Sequence, residues 1–266
     1  PAAGVGRSGG WGGWWRPLGP ARRWIALRLG EPKHPTPPFV GSILSEHINE
    51  FGRYPIAKGI LPFRTAAANW LNRRYALAHP VDPETEVLVL NGSREGLFFA
   101  AVTAARFVGP RQGVPAILLP NPFYPAYAAG AQAAGCEPIF LPTTRANGFL
   151  PDLDALDPAT LARTVAIYIA SPANPQGSVA SRAYCDRLVA LARQYGFMIL
   201  ADECYSEIYT QVAPGSMLEA AGPDFANVVV FQSLSKRSNL PGMRVGFAAG
   251  DPKFLAAFHE LRNVAA

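Results

Sequence analysis

The sequence predicts a doubly wound α/β fold, in which a mostly parallel seven-stranded sheet lies between two layers of helices. Three observations lead to this three-layer α/β/α prediction. Short apolar segments rich in β-branched residues alternate with longer segments rich in Ala, Leu and Arg. The apolar segments are almost continuously hydrophobic, as in parallel strands that are covered on both faces. The length of 266 residues is sufficient for one large domain of this kind.

The predicted elements follow one another in a regular order. The strands are residues 86–90, 115–120, 137–141, 164–170, 197–203, 227–233 and 244–250. Helices are predicted over residues 62–78, 94–107, 124–135 and 181–195, the first of them with a proline near its start. In a sheet of this type, ligands bind beyond the carboxyl ends of the strands. We therefore expect the functional residues in the segments that follow the strands.

Composition argues against several other classes of protein. The formal net charge is +5, but the basic residues form no block of the kind that binds a nucleic-acid backbone. No apolar run approaches the length of a membrane span. The cysteines (Cys136, Cys185 and Cys204) are scattered without a CxxC pair, which favours reduced thiols over a disulfide framework or a zinc site. We therefore expect a cytoplasmic location and no nucleic-acid, membrane or metal partner.

Two segments after strands carry polar groups in tight turns. Gly92 and Ser93 follow the first strand and open a helix whose free N–H groups would bind an anion; the alternative is that Ser93 only caps the helix. Asn174 lies between two prolines in SPANPQG, which would hold its amide still; the alternative is an ordinary turn. Each motif alone is compatible with a binding site and with a purely structural turn.

A third segment places acids at the end of an apolar strand. Asp202 and Glu203 close the strand 197–203, and Tyr205 follows shortly after them. Burial of a carboxylate is costly unless it is paired. These acids therefore belong either to a buried site with partners or to an exposed surface turn.

The stretch SLSKRSNLPGMRVGF follows the next strand and combines small hydroxyl residues with cations. Lys236 comes directly after a serine, and Arg244 follows it after eight residues; the alternative is a solvated loop. Together the strand ends supply an anion site, a carboxylate, an amide, a phenol, an amine and a guanidinium. Pyridoxal phosphate (PLP) requires this set, because its aldehyde binds a lysine amine, its ring nitrogen pairs with a carboxylate and its phosphate binds a helix N-terminus and an arginine.

From about residue 26 to its end, the sequence resembles the class I/II aminotransferases of the fold-type I PLP enzymes. The resemblance lies in the spacing S-x-x-K, in the arginine eight residues after the lysine, and in the acid and phenol of D-E-C-Y. It implies that the catalytic residues are Lys236, Asp202 and Tyr205. Lys236 would bind the cofactor covalently and later move the substrate proton. Asp202 would pair with the pyridinium nitrogen, and Asn174 and Tyr205 would hydrogen-bond the cofactor oxygen O3′.

The resemblance also implies the remaining contacts of cofactor and substrate. The phosphate would be held by Gly92, Ser93, Arg94, Ser233, Ser235 and Arg244. Tyr124 in NPFYPAY would stack on the ring face, with a role as a core aromatic as the alternative. Gly30 would lie near the substrate carboxylate, with Asn174 as a second substrate contact. Tyr54 would reach the phosphate in the neighbouring subunit, which predicts a homodimer.

The same resemblance divides the chain into three parts. Residues 1–25, rich in Gly, Trp and Pro, are expected to be a disordered or non-native leader. Residues 26–60 would form an N-terminal arm with a substrate-side segment, and residues 61–266 the PLP-binding large domain. We expect the smaller C-terminal domain of the family, with the arginine that binds the substrate carboxylate, to be missing.

Within the family, the sequence most resembles succinyldiaminopimelate aminotransferases of bacterial lysine biosynthesis. This implies small-molecule substrates, with glutamate as amino donor and a 2-oxo acid or aldehyde-type acceptor. Aspartate or aromatic aminotransferases remain alternatives, because they share the cofactor residues. A PLP lyase or decarboxylase is a further alternative. So is the ligand-sensing half of a transcription regulator, although the short leader lacks a helix-turn-helix pattern.

Overall fold

A computed structural model describes residues 30–265 of the protein. The chain separates into two units, Pro1–Glu31 and Pro32–Ala266, and the sheet with its helices belongs to the second. The predicted leader, residues 1–25, lies outside the described residues. The predicted boundary between an arm and a large domain at residue 61 stays a prediction.

All seven predicted strands form one mixed sheet, which confirms the predicted fold class. The strands are β1 Val87–Leu90, β2 Ala116–Asn121, β3 Glu137–Pro142, β4 Thr164–Ala170, β5 Met198–Asp202, β6 Val228–Ser233 and β7 Gly246–Gly250. Their order across the sheet is β1-β7-β6-β5-β4-β2-β3. Strands β2, β3, β4, β5 and β6 pair with one another in parallel, whereas β7 pairs antiparallel with both β1 and β6. The sheet is therefore mostly parallel, with one reversed strand near an edge.

The helices connect the strands and cover them. They are α1 Phe39–Glu46, α2 Leu61–Tyr75, α3 Ser93–Val108, α4 Pro125–Ala133, α5 Pro158–Arg163, α6 Arg182–Tyr195, α7 Leu234–Arg237 and α8 Pro252–Ala265. The ends of α6 show why these residues form a helix. The Ser181 side chain accepts a hydrogen bond from the N–H of Tyr184, and the helix ends at Gly196 with φ 69°, which glycine adopts without strain.

The core lies on both faces of the sheet. On β4, Ile167 and Ile169 point into one cluster, and Ala166 and Tyr168 point into the other, as the alternation of side chains in a strand requires. Residues of α2 and α6 fill the first cluster, and residues of α3, α4 and α8 fill the second. Because both faces are covered, the strands are apolar without interruption.

One strand begins later than the sequence pattern predicts. The pattern starts the seventh strand at residue 244, but β7 starts at Gly246. Arg244 is the reason, because it ends a short 3₁₀ turn with φ 52°, a left-handed conformation that cannot continue a strand. This conformation directs the arginine back towards the turn before α3.

Other features limit the chemistry that the fold supports. Cys136, Cys185 and Cys204 are free and buried. Within residues 30–265 no group of three or more His, Cys, Asp and Glu side chains could hold a metal ion. In the same part of the chain, none of the helices combines the length and the hydrophobicity that crossing a membrane requires.

Candidate active site

The carboxyl ends of β4, β5 and β6 bring most of the predicted site residues to one edge of the sheet. These strands are neighbours, and Asp202 at the end of β5 is paired with Ala170 of β4 and Phe231 of β6. Asn174 follows β4, Tyr205 follows β5, and Lys236 lies in α7 directly after β6. Parallel strands therefore place these groups side by side although they are far apart in sequence.

Asp202 is held by donors on both carboxylate oxygens. The phenol of Tyr127 donates to Oδ2 at 2.6 Å, and the backbone N–H of Cys204 donates to Oδ1 at 3.2 Å. Tyr127 is fully buried and stacks on Tyr168, with ring centres 4.4 Å apart. Burial and the neighbouring Asp202 carboxylate raise the pKa of Tyr127 well above its usual value, so the phenol stays protonated as a donor.

Asn174, Tyr205 and Lys236 form a second group at this edge. The amide Nδ2 of Asn174 lies 3.5 Å from the Tyr205 hydroxyl. The amine of Lys236 lies 5.9 Å from the centre of the Tyr205 ring. Burial, followed by the Asp202 charge, raises the pKa of Tyr205, which keeps its hydroxyl protonated at neutral pH. An amide and an amine thus lie close to the Tyr205 side chain.

An arginine reaches the turn that begins α3. A Cβ on Gly92 would lie 2.1 Å from Nη2 of Arg244, so only glycine allows the guanidinium to come this close. Gly92 has φ 88° and is the N-cap of α3, and no side chain of the described residues caps this helix. Arg244 also donates to the Pro241 carbonyl at 2.9 Å and lies 3.5 Å from the Ser235 hydroxyl. Free N–H groups, a hydroxyl and a guanidinium therefore meet at one corner, which suits an anion.

The family described as "Aminotransferase class I and II" matches residues 22–266. The chain belongs to the class I and II aminotransferases. This family depends on PLP, whose phosphate and ring nitrogen require an anion site and a carboxylate. The corner at Gly92 and Arg244 supplies an anion site. Asp202, whose two carboxylate oxygens both accept hydrogen bonds, supplies the carboxylate.

Three known proteins show the extent of the similarity. An LL-diaminopimelate aminotransferase of Desulforudis audaxviator (strain MP104C) is 37% identical over 242 residues, which are 90% of this chain and 59% of that protein. An aminotransferase from Neisseria meningitidis has a structure with a TM-score of 0.85 and 39% identity, over 92% of this chain and 62% of that one. A probable N-succinyldiaminopimelate aminotransferase from Thermus thermophilus has a TM-score of 0.78 and 29% identity, over 89% and 62% of the two chains. The chain therefore spans less than two thirds of the length of each of these relatives.

The two serines around α7 have different surroundings. Ser233 is buried and caps α7, because its hydroxyl accepts the N–H of Ser235 at 3.1 Å. Ser235 is buried close to Arg244. The corner therefore contains Ser235 directly, whereas Ser233 shapes the helix that carries Lys236. Phosphate binding by either serine stays a prediction.

Tyr124 packs against the second core cluster without being fully buried, and its predicted stacking on the cofactor ring stays a prediction. It is half-buried, its ring centre is 5.7 Å from that of Tyr127, and its hydroxyl accepts a hydrogen bond from Nε of Arg94. The fully buried tyrosine of the motif NPFYPAY is Tyr127. Sequence reasoning missed Tyr127. The signal that could have found it is its spacing of four residues from Ala131 on the buried face of α4.

Glu203 is not in an exposed surface turn. Its carboxylate is 1% exposed and accepts hydrogen bonds from the Ser216 hydroxyl, the N–H of Met217 and the amide of Gln232. Burial raises its pKa to about 8, so this side chain carries a proton over much of the neutral range. The Glu203 side chain contacts other residues than Asp202 does. Its hydrogen bonds connect the end of β5 to Gln232 of β6 and to the turn at Ser216.

Two further predicted residues belong to the N-terminal part of the chain. Tyr54 is fully exposed on the second unit, in the segment between α1 and α2. Gly30 belongs to the first unit, Pro1–Glu31. Binding of substrate by Gly30, and of a neighbouring subunit's phosphate by Tyr54, stay predictions.

Proposed function

We propose that the protein is a PLP-dependent aminotransferase that exchanges an amino group between glutamate and a 2-oxo acid or aldehyde-type acceptor. The observation that carries this proposal is the meeting of Asp202, Asn174, Tyr205 and Lys236 at one sheet edge, beside the anion corner of Arg244. Family membership supports the same cofactor.

The chain's own residues would hold the cofactor in one orientation. Arg244, Ser235 and the first N–H groups of α3 bind the phosphate, assisted by Arg94 and by Ser233 through its cap of α7. Asn174 and Tyr205 would donate to O3′, and Tyr124 would contact the ring. Tyr127 fixes the carboxylate of Asp202, which then holds the proton on the ring nitrogen.

Lys236 would carry out the proton transfers. Its amine would hold the cofactor covalently at the aldehyde. The bound cofactor supplies an electron sink for the pair released from the substrate α-carbon. Nζ of Lys236 would accept the substrate α-proton and donate it again, as a general base and then a general acid.

The preferred substrate is proposed to be N-succinyl-2-amino-6-oxopimelate, with glutamate as the donor, in a cytoplasmic route to lysine. The name of the Thermus thermophilus relative, a probable N-succinyldiaminopimelate aminotransferase, supports this choice. LL-diaminopimelate is the second candidate, favoured by the name of the 37% identical Desulforudis audaxviator relative. A homodimer is proposed as well, in which Gly30 and Asn174 contact substrate and Tyr54 completes the partner's phosphate site.

Amino-donor assays test these proposals. The purified protein with PLP is given 2-oxoglutarate together with N-succinyl-LL-diaminopimelate, LL-diaminopimelate or aspartate, and glutamate formation is measured beside the Lys236→Ala variant. Fastest turnover of the succinylated donor supports the first substrate, and fastest turnover of the free diamine supports the second. Turnover of aspartate alone contradicts both. Equal rates for the protein and the Lys236→Ala variant with every donor would falsify the aminotransferase proposal.

A further inference from the structure

The helix that carries Lys236 is too short to fix its own direction. α7 contains four residues, Leu234–Arg237, which is about one turn. A single turn is not stable by itself, because nucleation of a helix is unfavourable. The direction of α7 therefore depends on its contacts. Ser233 caps its beginning, the N–H of Leu234 bonds the Val245 carbonyl at 3.0 Å, and the Arg237 side chain contacts α2.

Arg237 packs against an aromatic ring of another element. Its guanidinium carbon lies 3.9 Å from the centre of the Trp70 ring on α2. Its Nε is buried and has no hydrogen-bond partner among residues 30–265, and burial lowers the pKa of the guanidinium. Stacking on Trp70, together with the attraction of the Glu207 charge, therefore offsets part of the burial of this cation.

The same face of α2 holds the segment after Tyr205. Arg74 lies one helical turn after Trp70, and it donates to Glu207 at 2.8 Å and to the carbonyl of Ser206 at 3.3 Å. Neighbouring residues of a helix project about 100° apart. Lys236 can thus reach the Tyr205 ring while Arg237 points to Trp70. Through two side chains, α2 contacts both segments that carry predicted catalytic residues.

We propose that Arg237 is a positioning residue, whose stacking on Trp70 fixes α7 and thereby the approach of the Lys236 amine to the cofactor aldehyde. The proposal rests on the proposed function, since it concerns the same cofactor. Arg237 acts through the backbone of α7 and touches no reacting atom. Its removal affects the covalent linkage of Lys236 more than the binding of phosphate and ring.

Two forms of the cofactor separate these effects. PLP condenses with Lys236 with loss of one water, and borohydride then delivers a hydride that traps the linkage as a secondary amine. Pyridoxamine phosphate has an amine in place of the aldehyde, so it binds through phosphate and ring alone. The variants are Arg237→Met, Arg237→Lys, Trp70→Leu and the double variant Arg237→Met with Trp70→Leu. Arg193→Met is the matched control. It removes the same kind of side chain from another helix, α6, where the guanidinium donates to the Ala221 carbonyl.

We expect Arg237→Met to slow the trapped linkage about tenfold, from the loss of a partly desolvated cation–π contact. Affinity for pyridoxamine phosphate stays within about twofold, Arg237→Lys recovers part of the rate, and the double variant is no slower than either single one. Arg193→Met behaves as the unchanged protein. An unchanged linkage rate in Arg237→Met, or an equal loss of affinity for both cofactor forms, overturns the inference. Absence of any adduct on the unchanged protein contradicts the proposed function itself.

Discussion

The Tyr127 phenol donates a 2.6 Å hydrogen bond to Asp202, from a position buried under the sheet edge. The tyrosine comes from α4 and the aspartate from the end of β5, so this bond fixes the carboxylate from outside its own strand. A rigid carboxylate is useful opposite a cofactor nitrogen, because the charge need not reorganise during the reaction.

Removal of the Tyr127 hydroxyl should lower activity while leaving the fold intact. Tyr127→Phe keeps the ring that stacks on Tyr168 but removes a hydrogen bond to a charged group, so kcat/KM should fall roughly tenfold. The control is Tyr184→Phe on α6, which removes a hydroxyl that donates to the Pro151 carbonyl. Equal kcat/KM for Tyr127→Phe and the unchanged protein would show that this bond does not support Asp202.

Substitution of Arg244 should weaken binding of the phosphate specifically. Lysine cannot reproduce the planar two-pronged contact of a guanidinium, so Arg244→Lys should raise the Kd for PLP by about tenfold or more. Pyridoxal without phosphate serves as the control ligand, and its Kd should not change. Gly92→Ala should have a similar effect, because its Cβ would displace the guanidinium. Equal weakening for both ligands would place Arg244 away from the phosphate.

The buried Glu203 should make stability depend on pH. Its pKa is raised from 4.5 to about 8 in the folded protein, chiefly by burial. Its stabilising contribution is thus complete below about pH 4.5 and is lost as the pH rises towards about 8. Relative to Glu203→Gln, the free energy of unfolding should fall by up to about 1.4 kcal/mol per pH unit in this window. Denaturant unfolding at several pH values measures it, and a pH-independent difference would mean that Glu203 is ionised when folded.

A buried ion pair should stabilise the start of α3. Arg262 on α8 bonds Glu95 at 2.7 Å and the Val89 carbonyl at 2.8 Å, and its side chain is 6% exposed. Arg262→Met leaves the Glu95 carboxylate without its partner, so the free energy of unfolding should fall by about 3 kcal/mol.

The matched control for this ion pair is exposed. Arg182→Met removes a pair with Asp186 in which both side chains are about half exposed or more, and it should cost less than about 0.5 kcal/mol. Similar losses in the two variants would contradict the role assigned to burial.

Much of the fold was predictable because the strands are covered on both faces. Continuous apolar segments such as 164–170 and 227–233 gave strands at nearly the predicted bounds. The position of β7 between β1 and β6, with reversed direction, was not predicted, because periodicity contains no information on pairing partners. The one-turn helix α7 was missed because a single turn has no detectable period.

The sequence predicted the site residues that belong to local motifs at the ends of strands. It did not predict the contacts that these residues make with side chains from distant helices. Asp202 ends β5, and Tyr205, Asn174 and Lys236 follow strands, so the sheet brings them to one edge. The partner of Asp202 comes from α4, and the support of Lys236 comes from α2 through Arg237. Such contacts join residues distant in sequence, and only tertiary packing reveals them.

The most direct test of the account is to map the lysine that binds the cofactor. The protein is incubated with PLP, reduced with borohydride and digested, and the modified peptide is identified by mass spectrometry. We expect one pyridoxyl adduct, on Lys236, although Lys33, Lys58 and Lys253 are also present. An adduct spread over these other lysines, or none on folded protein, would contradict the assignment of Lys236.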